Sequence, residues 1–307
     1  MQITLVGLDV VNTSLGLALK AVAPEIQIMG NDRDRDRAKM AAQAHAVDKT
    51  HWNLLSACDG ADLVIVSEPQ PQLEVDLAAL APELAAEVVV FALASTQRPV
   101  QALFQRIGAR AACVSGHLVA PGLTAAATPA ASLLQQALCY IVAAPSTSAE
   151  ALQTAANVAE AVGARPCFAD ADEVDGIIAA TEQVPQMLAL ALLSALAHAG
   201  AQRDFERGLS PALGEIARHS PTPEDLAALS ANRDNLVRWV SAFSASLQEA
   251  ASWVSANDAK RLSDEVTAVR QALDRWAKGE EEPTTQVSKG STWRQMFLGQ
   301  WRPGRRG

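Results

Sequence analysis

The residues most able to do chemistry cluster near the start of the chain. Gly7-Leu8-Asp9-Val10-Val11-Asn12 follows a short apolar run, Ile3-Thr4-Leu5-Val6, and precedes a helical pattern. That is where a dinucleotide-binding fold carries G-x-G-x-x-G, whose glycines let the backbone reach a pyrophosphate and let helix and strand pack closely. Gly7 keeps the first of these positions, while Asp9 and Asn12 take the second and third. Asp9 brings a carboxylate and a Cβ to a helix N-terminus that otherwise attracts anions, and Asn12 takes the place of a close-packing glycine, so both changes oppose pyrophosphate binding and suggest a lost cofactor. Asp32, in Gly30-Asn31-Asp32-Arg33, falls about where an acid meets the adenosine ribose, and Arg33 beside it could accept a 2′-phosphate. Alternatively, Asp32 caps the following turn and the charged run to Arg37 is a solvated helix start. On these residues the cofactor is NAD, NADP or none.

Other reactive types are sparse. Cys58, Cys113, Cys139 and Cys167 form no C-x-x-C pair or zinc-ligand cluster. His45, His51, His198 and His219 have no partner at ligand or triad spacing, and on its own residues His117 reads as a loop histidine satisfied by backbone.

These residues need a scaffold, and the pattern supplies one. In 307 residues with 49% hydrophobic and 19% charged side chains, there is length for about two domains and a sizeable core. Short β-branched runs at Ile3–Val6, Ile26–Gly30, Leu63–Ser67, Val88–Ala92, Ala112–Ser115, Tyr140–Ala143 and Arg165–Phe168 alternate with helical segments. This predicts an α/β first domain over 1–170, a Rossmann-type doubly wound parallel sheet. From Asp172 onward helical segments take over, near 172–200, 223–256 and 258–278, giving an all-helical domain over 171–278. Its stripe of Leu226, Leu229, Leu236, Trp239, Val240, Phe243 and Leu247 fits either a bundle core or a homodimer interface. Residues 279–307 read as a flexible tail, basic after Ser288, with Trp293, Phe297 and Trp301 at helical spacing.

The formal net charge of −9 argues against nucleic acid as a partner. The apolar stretch Met187–Ala199 is shorter than a bilayer crossing and is expected as a buried helix, with no integral membrane span. The first residues show no charged leader, which suggests a cytoplasmic protein.

Taken in order, several segments resemble the prephenate and arogenate dehydrogenase family. They are Leu5-Val6-Gly7-Leu8, Asp32-Arg33, Ala61-Asp62-Leu63-Val64-Ile65, Gly116-His117-Leu118-Val119-Ala120, Gly163-Ala164, Val184-Pro185-Gln186-Met187, Arg203 to Arg207 and Ala231 to Leu236. The likeness covers residues 1 to about 277. It implies a Rossmann domain followed by a dimerising helical domain, a small-molecule substrate, and oxidative decarboxylation of a cyclohexadienyl acid with NAD(P) in tyrosine biosynthesis. In that family hydride leaves the substrate ring as carbon dioxide departs.

The resemblance also assigns roles. His117 stands where the family's histidine accepts the 4-hydroxyl proton, Ser95 matches a serine beside substrate and histidine, and Arg207 matches the arginine that holds a substrate carboxylate. Gly7, Asp32 and Arg33 match cofactor-binding positions. Departures from the pattern are Asp9, Asn12, Glu68, Ala92 and Gln97, and, where the family has Ser-His, Glu182-Gln183. They open a second expectation, a non-catalytic relative that serves as a dimeric binding or regulatory module.

Overall fold

A computed structural model describes residues 1–106, 111–123, 127–144, 147–198 and 210–278. Eight strands form one sheet: β1 (Gln2–Val6), β2 (Gln27–Asn31), β3 (Lys49–Thr50), β4 (Leu63–Ser67), β5 (Val89–Leu93), β6 (Ala112–Val119), β7 (Leu138–Val142) and β8 (Arg165–Ala169). Their order is β3-β2-β1-β4-β5-β6-β7-β8. The chain starts in mid-sheet, moves outward to β3, then returns across β1 to β4. The β1–β4 junction is therefore the switch point, beyond whose strand ends open α/β sheets hold their ligands.

Both faces are covered. Ile3 and Leu5 of β1 point to a core shared with Leu15 and Leu19 of α1 (Val10–Val22) and Val158 of α6 (Ala149–Ala161). Val6, Val64 and Val66 point the other way, onto Leu73 and Leu77 of α4 (Gln70–Leu80) and Val100 and Leu103 of α5 (Gln97–Arg106). Strands buried on both faces need apolar residues at every position, and β4 is buried along its whole length. Between these come α2 (Arg35–Gln43) and the single turn α3 (Leu54–Ala57).

One pairing departs from the all-parallel expectation: β6 and β7 run antiparallel, with His117 opposite Tyr140. No helix is described between them, and a direct return needs no crossover, so the second strand runs back along the first. β6 also extends four residues past Ser115, which brings His117 into the ladder.

The helical segment opens with α7 (Ala171–Ile178), a π-helical turn (Ala179–Gln183) and α8 (Val184–His198). Asp175 of α7 caps α5: its Oδ1 accepts from Gln97 N at 2.6 Å and its Oδ2 from Arg98 N at 3.0 Å. Then follow α9 (Pro211–Arg218), α10 (Leu226–Ala231), α11 (Arg233–Ser255) and α12 (Ala259–Lys278). By their contacts the residues divide at Leu236/Val237, later than the change of pattern near 170. Asp175 and the buried Asn232, whose Nδ2 donates to Asp175 O (2.7 Å) and Gln183 Oε1 (2.9 Å), tie α7 and the start of α11 into the first unit. In the second unit Arg261 lies 5.4 Å from the Trp253 ring, and Val237, Leu247, Val254, Val266 and Leu273 are exposed.

The expected buried helix at Met187–Ala199 is not buried. In α8 only Ala189 is fully covered, and Leu190 and Leu192 are exposed. With α7 and the π turn it forms a continuous 28-residue helix, long and apolar enough to cross a membrane by length and composition. Its first turns carry Asp172, Glu173 and Asp175 and pack on α5.

Candidate functional site

Gly7 closes β1 with φ +76°, and a Cβ there would lie 2.0 Å from Ser67 O and 2.8 Å from Glu68 Cγ. The turn that follows is thus pressed against the end of β4, a packing only glycine permits.

Asp9 is the N-cap of α1. Its Oδ1 accepts from Asn12 N at 2.8 Å, and its Oδ2 accepts from the Ser67 hydroxyl at 2.8 Å. The chain's own carboxylate thereby occupies the helix N-terminus at which a pyrophosphate would sit. Burial raises the Asp9 pKa against the hydrogen bonds from Asn12 and Ser67. Asn12 points inward and is fully buried, its Nδ2 donating to Val6 O (2.9 Å) and Gly7 O (2.8 Å). Asn12 therefore clamps the turn from beneath and does not obstruct a ligand above it.

Asp32, at the end of β2, is also turned inward. Its side chain is fully covered, with Oδ2 accepting from Leu8 N at 2.8 Å, Oδ1 accepting from Asp34 N at 2.7 Å and Arg37 at 3.4 Å. Arg33 pairs with the buried Asp76 at 2.7 Å. Glu68 lies over Gly7, and burial, with Asp32 and Asp76 nearby, pushes its pKa up to about 7.

Across the cleft stands His117. Its Nδ1 lies 3.0 Å from Ala94 O and its Nε2 2.6 Å from Glu182 Oε1. Burial lowers the His117 pKa, but the Glu182 carboxylate and its hydrogen bond outweigh it and the net shift is upward. Ala94 O is itself held by Gln97 Nε2 (3.0 Å), which also reaches Gly116 O (3.2 Å) and so braces the ends of β5 and β6. Glu182 comes from the π turn, whose wider i→i+5 winding shifts side chains around the helix; such turns recur at functional sites. Gln183 from the same turn is buried against Asn232.

These groups line one cleft of about 390 Å³, which includes Asp9, Arg37, Glu68, Ser95, His117, Glu182, Glu224 and Asp225. The structure thus brings His117 and the exposed Ser95 together with the β1–α1 turn. Arg207 and the tail at 279–307 lie outside the described residues. Burial pushes the Cys58, Cys113 and Cys139 thiols up to about 12, so they stay protonated. Sequence reasoning identified the Glu182 and Gln97 positions only as departures from a pattern. Asp175 and Asn232 lie in family-like segments, but nothing in either segment shows that they meet across 57 residues.

A dinucleotide does not fit this arrangement in the usual pose. Asp9 fills the helix N-terminus, Leu8 N is spent on Asp32, and Asp9, Glu68, Asp32 and Asp76 outnumber Arg33 and Arg37 around it. A pyrophosphate would add negative charge to that group.

The chain matches the family model described as "Prephenate dehydrogenase, nucleotide-binding domain" over residues 15–167, a span that begins just after the altered turn. A curated cyclohexadienyl dehydrogenase from Zymomonas mobilis is 25% identical over 202 residues, covering 62% of this chain and 66% of that protein, just under two thirds of its length. Among solved structures, prephenate dehydrogenase from A. aeolicus in complex with hydroxyphenyl propionate and NAD+ matches with a TM-score of 0.79 at 17% identity, covering 90% of this chain and 98% of that chain. Synechocystis arogenate dehydrogenase matches with a TM-score of 0.71 at 19% identity, covering 90% of this chain and 100% of that chain. With about half its length inside the nucleotide-binding model and its sheet and helices shared with these enzymes, the chain belongs to the prephenate/arogenate dehydrogenase family, oxidoreductases of tyrosine biosynthesis built on an NAD-binding Rossmann domain.

Proposed function

We propose that this chain carries out decarboxylative aromatisation of a cyclohexadienyl acid, with the ring 4-oxygen at His117. One observation carries the reading: His117, matched to the family's reacting histidine by sequence resemblance, is held between Ala94 O and Glu182 at the wall of the cleft. Ser95 borders the same space and is assigned to the substrate beside His117. Arg207 is assigned to a substrate carboxylate from the family pattern alone. Gly7, Asp32 and Arg33 are assigned to shaping the β1–α1 turn and its rim, since their polar groups face protein partners.

Charge favours one acid over another. Glu182, Glu224 and Asp225 face the cleft, so a substrate whose side chain bears an ammonium, of the arogenate kind, is repelled less than a dicarboxylate keto acid of the prephenate kind. The uncovered Leu190 and Leu192 of α8, and separately Trp239 and Leu247 of α11, support a homodimer through the helical segment, to be checked by light scattering. A cytoplasmic location accompanies a role among soluble biosynthetic enzymes.

The test is turnover of arogenate and prephenate at pH 7.5, each with and without NAD or NADP, followed by mass spectrometry of the aromatic product. Arogenate should be consumed faster than prephenate, with the rate lost in His117→Ala. Consumption of neither acid above the His117→Ala background would overturn the assignment.

A further inference from the structure

We infer that Glu182 determines specificity at the ring 4-position: it stands where a ring hydroxyl meets His117, and it yields only to a group that both donates and accepts a hydrogen bond. This rests on the proposed function, which brings the ring 4-oxygen to His117, and adds what that oxygen must carry.

Both nitrogens of the His117 ring are engaged in the empty protein. Nδ1 lies 3.0 Å from Ala94 O, a main-chain group that Gln97 Nε2 braces, and Nε2 lies 2.6 Å from Glu182 Oε1. The His117 side chain is 13% exposed and that of Glu182 40%, so the ring is approached across the carboxylate. The two partners differ in their freedom to move. His117 sits in β6, which pairs with β5 on one side and with β7 on the other, where Tyr140 lies opposite it. Glu182 hangs by a flexible side chain from the π turn and borders the open cleft. A ligand that reaches Nε2 therefore moves Glu182 and leaves His117 in place.

A hydrogen lies in the 2.6 Å contact between Nε2 and Oε1. Whichever of the two atoms carries it, a ligand atom entering between them has to accept from that atom and donate to the other. A hydroxyl does both. An ether or oxo oxygen only accepts and a ring C–H does neither, so either leaves a member of the pair without a partner in a place partly shut from water. An oxygen bonded to both atoms needs them about 4.5–5 Å apart, an opening that rotation of the Glu182 side chain provides. The closed pair thus excludes a ring that lacks the hydroxyl and opens for one that has it.

The experiment titrates the full chain by calorimetry at pH 7.5 with 3-(4-hydroxyphenyl)propionate, 3-(4-methoxyphenyl)propionate and 3-phenylpropionate, acids that differ only at the 4-position. The wild type should bind the hydroxyl acid at least about tenfold more tightly than either of the others. In Glu182→Ala the other two should tighten, and the ratio should fall to about threefold or less, because no bond has to open before the ring enters. Glu182→Ser, whose side chain is too short to span the gap, should give the same ratio and serves if the alanine variant does not fold. A merely structural role for Glu182 shifts all three affinities together and leaves the ratio fixed. An unchanged ratio in the folded variants, or equal binding of the hydroxyl and methoxy acids by the wild type, overturns the inference and leaves the proposed function standing. Binding of none of the three acids also overturns the inference; if neither arogenate nor prephenate is turned over, the proposed function falls with it.

Discussion

Replacing Asp9 by glycine should turn the first turn of α1 back into a phosphate seat, and the sizes of the effects follow from the contacts. The variant loses the bond to Asn12 N and leaves the buried Ser67 hydroxyl without its acceptor, but glycine is itself a tolerated N-cap, so the stability cost is about 1 kcal/mol. For a unit of this size that lowers Tm by roughly 2–4 °C. Affinity should move much further. A phosphate charge about 4 Å from a carboxylate is repelled by about 4 kcal/mol at an effective dielectric constant of 20, or about a thousandfold in Kd. Burial favours a neutral Asp9, which reduces that figure; about tenfold is the least the change should yield. Calorimetry with NAD and NADP is the assay, run on the wild type, Asp9→Gly and Asp9→Gly/Glu68→Gln. The wild type should not saturate at millimolar nucleotide, and each substitution should tighten binding in turn. Micromolar binding by the wild type, or equal affinities in all three folded proteins, refutes the claim that Asp9 holds the seat.

Two further outcomes can be measured on the folded state. Gly7→Ala should destabilise the protein by about 3 kcal/mol or more in urea unfolding, because it places Cβ 2.0 Å from Ser67 O at φ +76°; a loss under about 1 kcal/mol would mean the turn relaxes freely. Glu68 has its pKa raised to about 7, so it contributes most when neutral and stability should fall as pH rises from about 5 to 8. Glu68→Gln should flatten that part of the denaturation-against-pH curve; an unchanged slope would show that Glu68 titrates normally.

The fold was largely legible from the sequence because a strand buried on both faces is apolar through its core positions, as Leu63–Val66 is, and the seven strand assignments match observed strands, mostly within a residue or two at each end. Three features were not. The two-residue β3 is too short to show a period, and Pro211–Arg218, though amphipathic, spans only eight residues. The direction of β7 depends on how the chain returns from β6, not on the residues of either strand. At the site, the types of Asp9 and Glu182 showed that something had changed, but not what each now touches. Asp9 bonds Ser67, 58 residues away, and Glu182 bonds His117, 65 residues away. The π turn that aims Glu182 has no compositional mark, and the inward turn of Asn12 and Asp32 depends on which backbone groups of β1 and its turn lie within reach.

His117 rides on β6, between Gly116, paired with Leu93 of β5, and Leu118, paired with Cys139 of β7. A group anchored in a ladder bonded from both sides holds its place before anything enters the cleft, so an incoming molecule spends none of its affinity on ordering that ring. Amide deuterium uptake at Gly116 and Leu118 should then be equally slow in the empty and the filled protein, setting this wall of the cleft apart from any loop that must close over it.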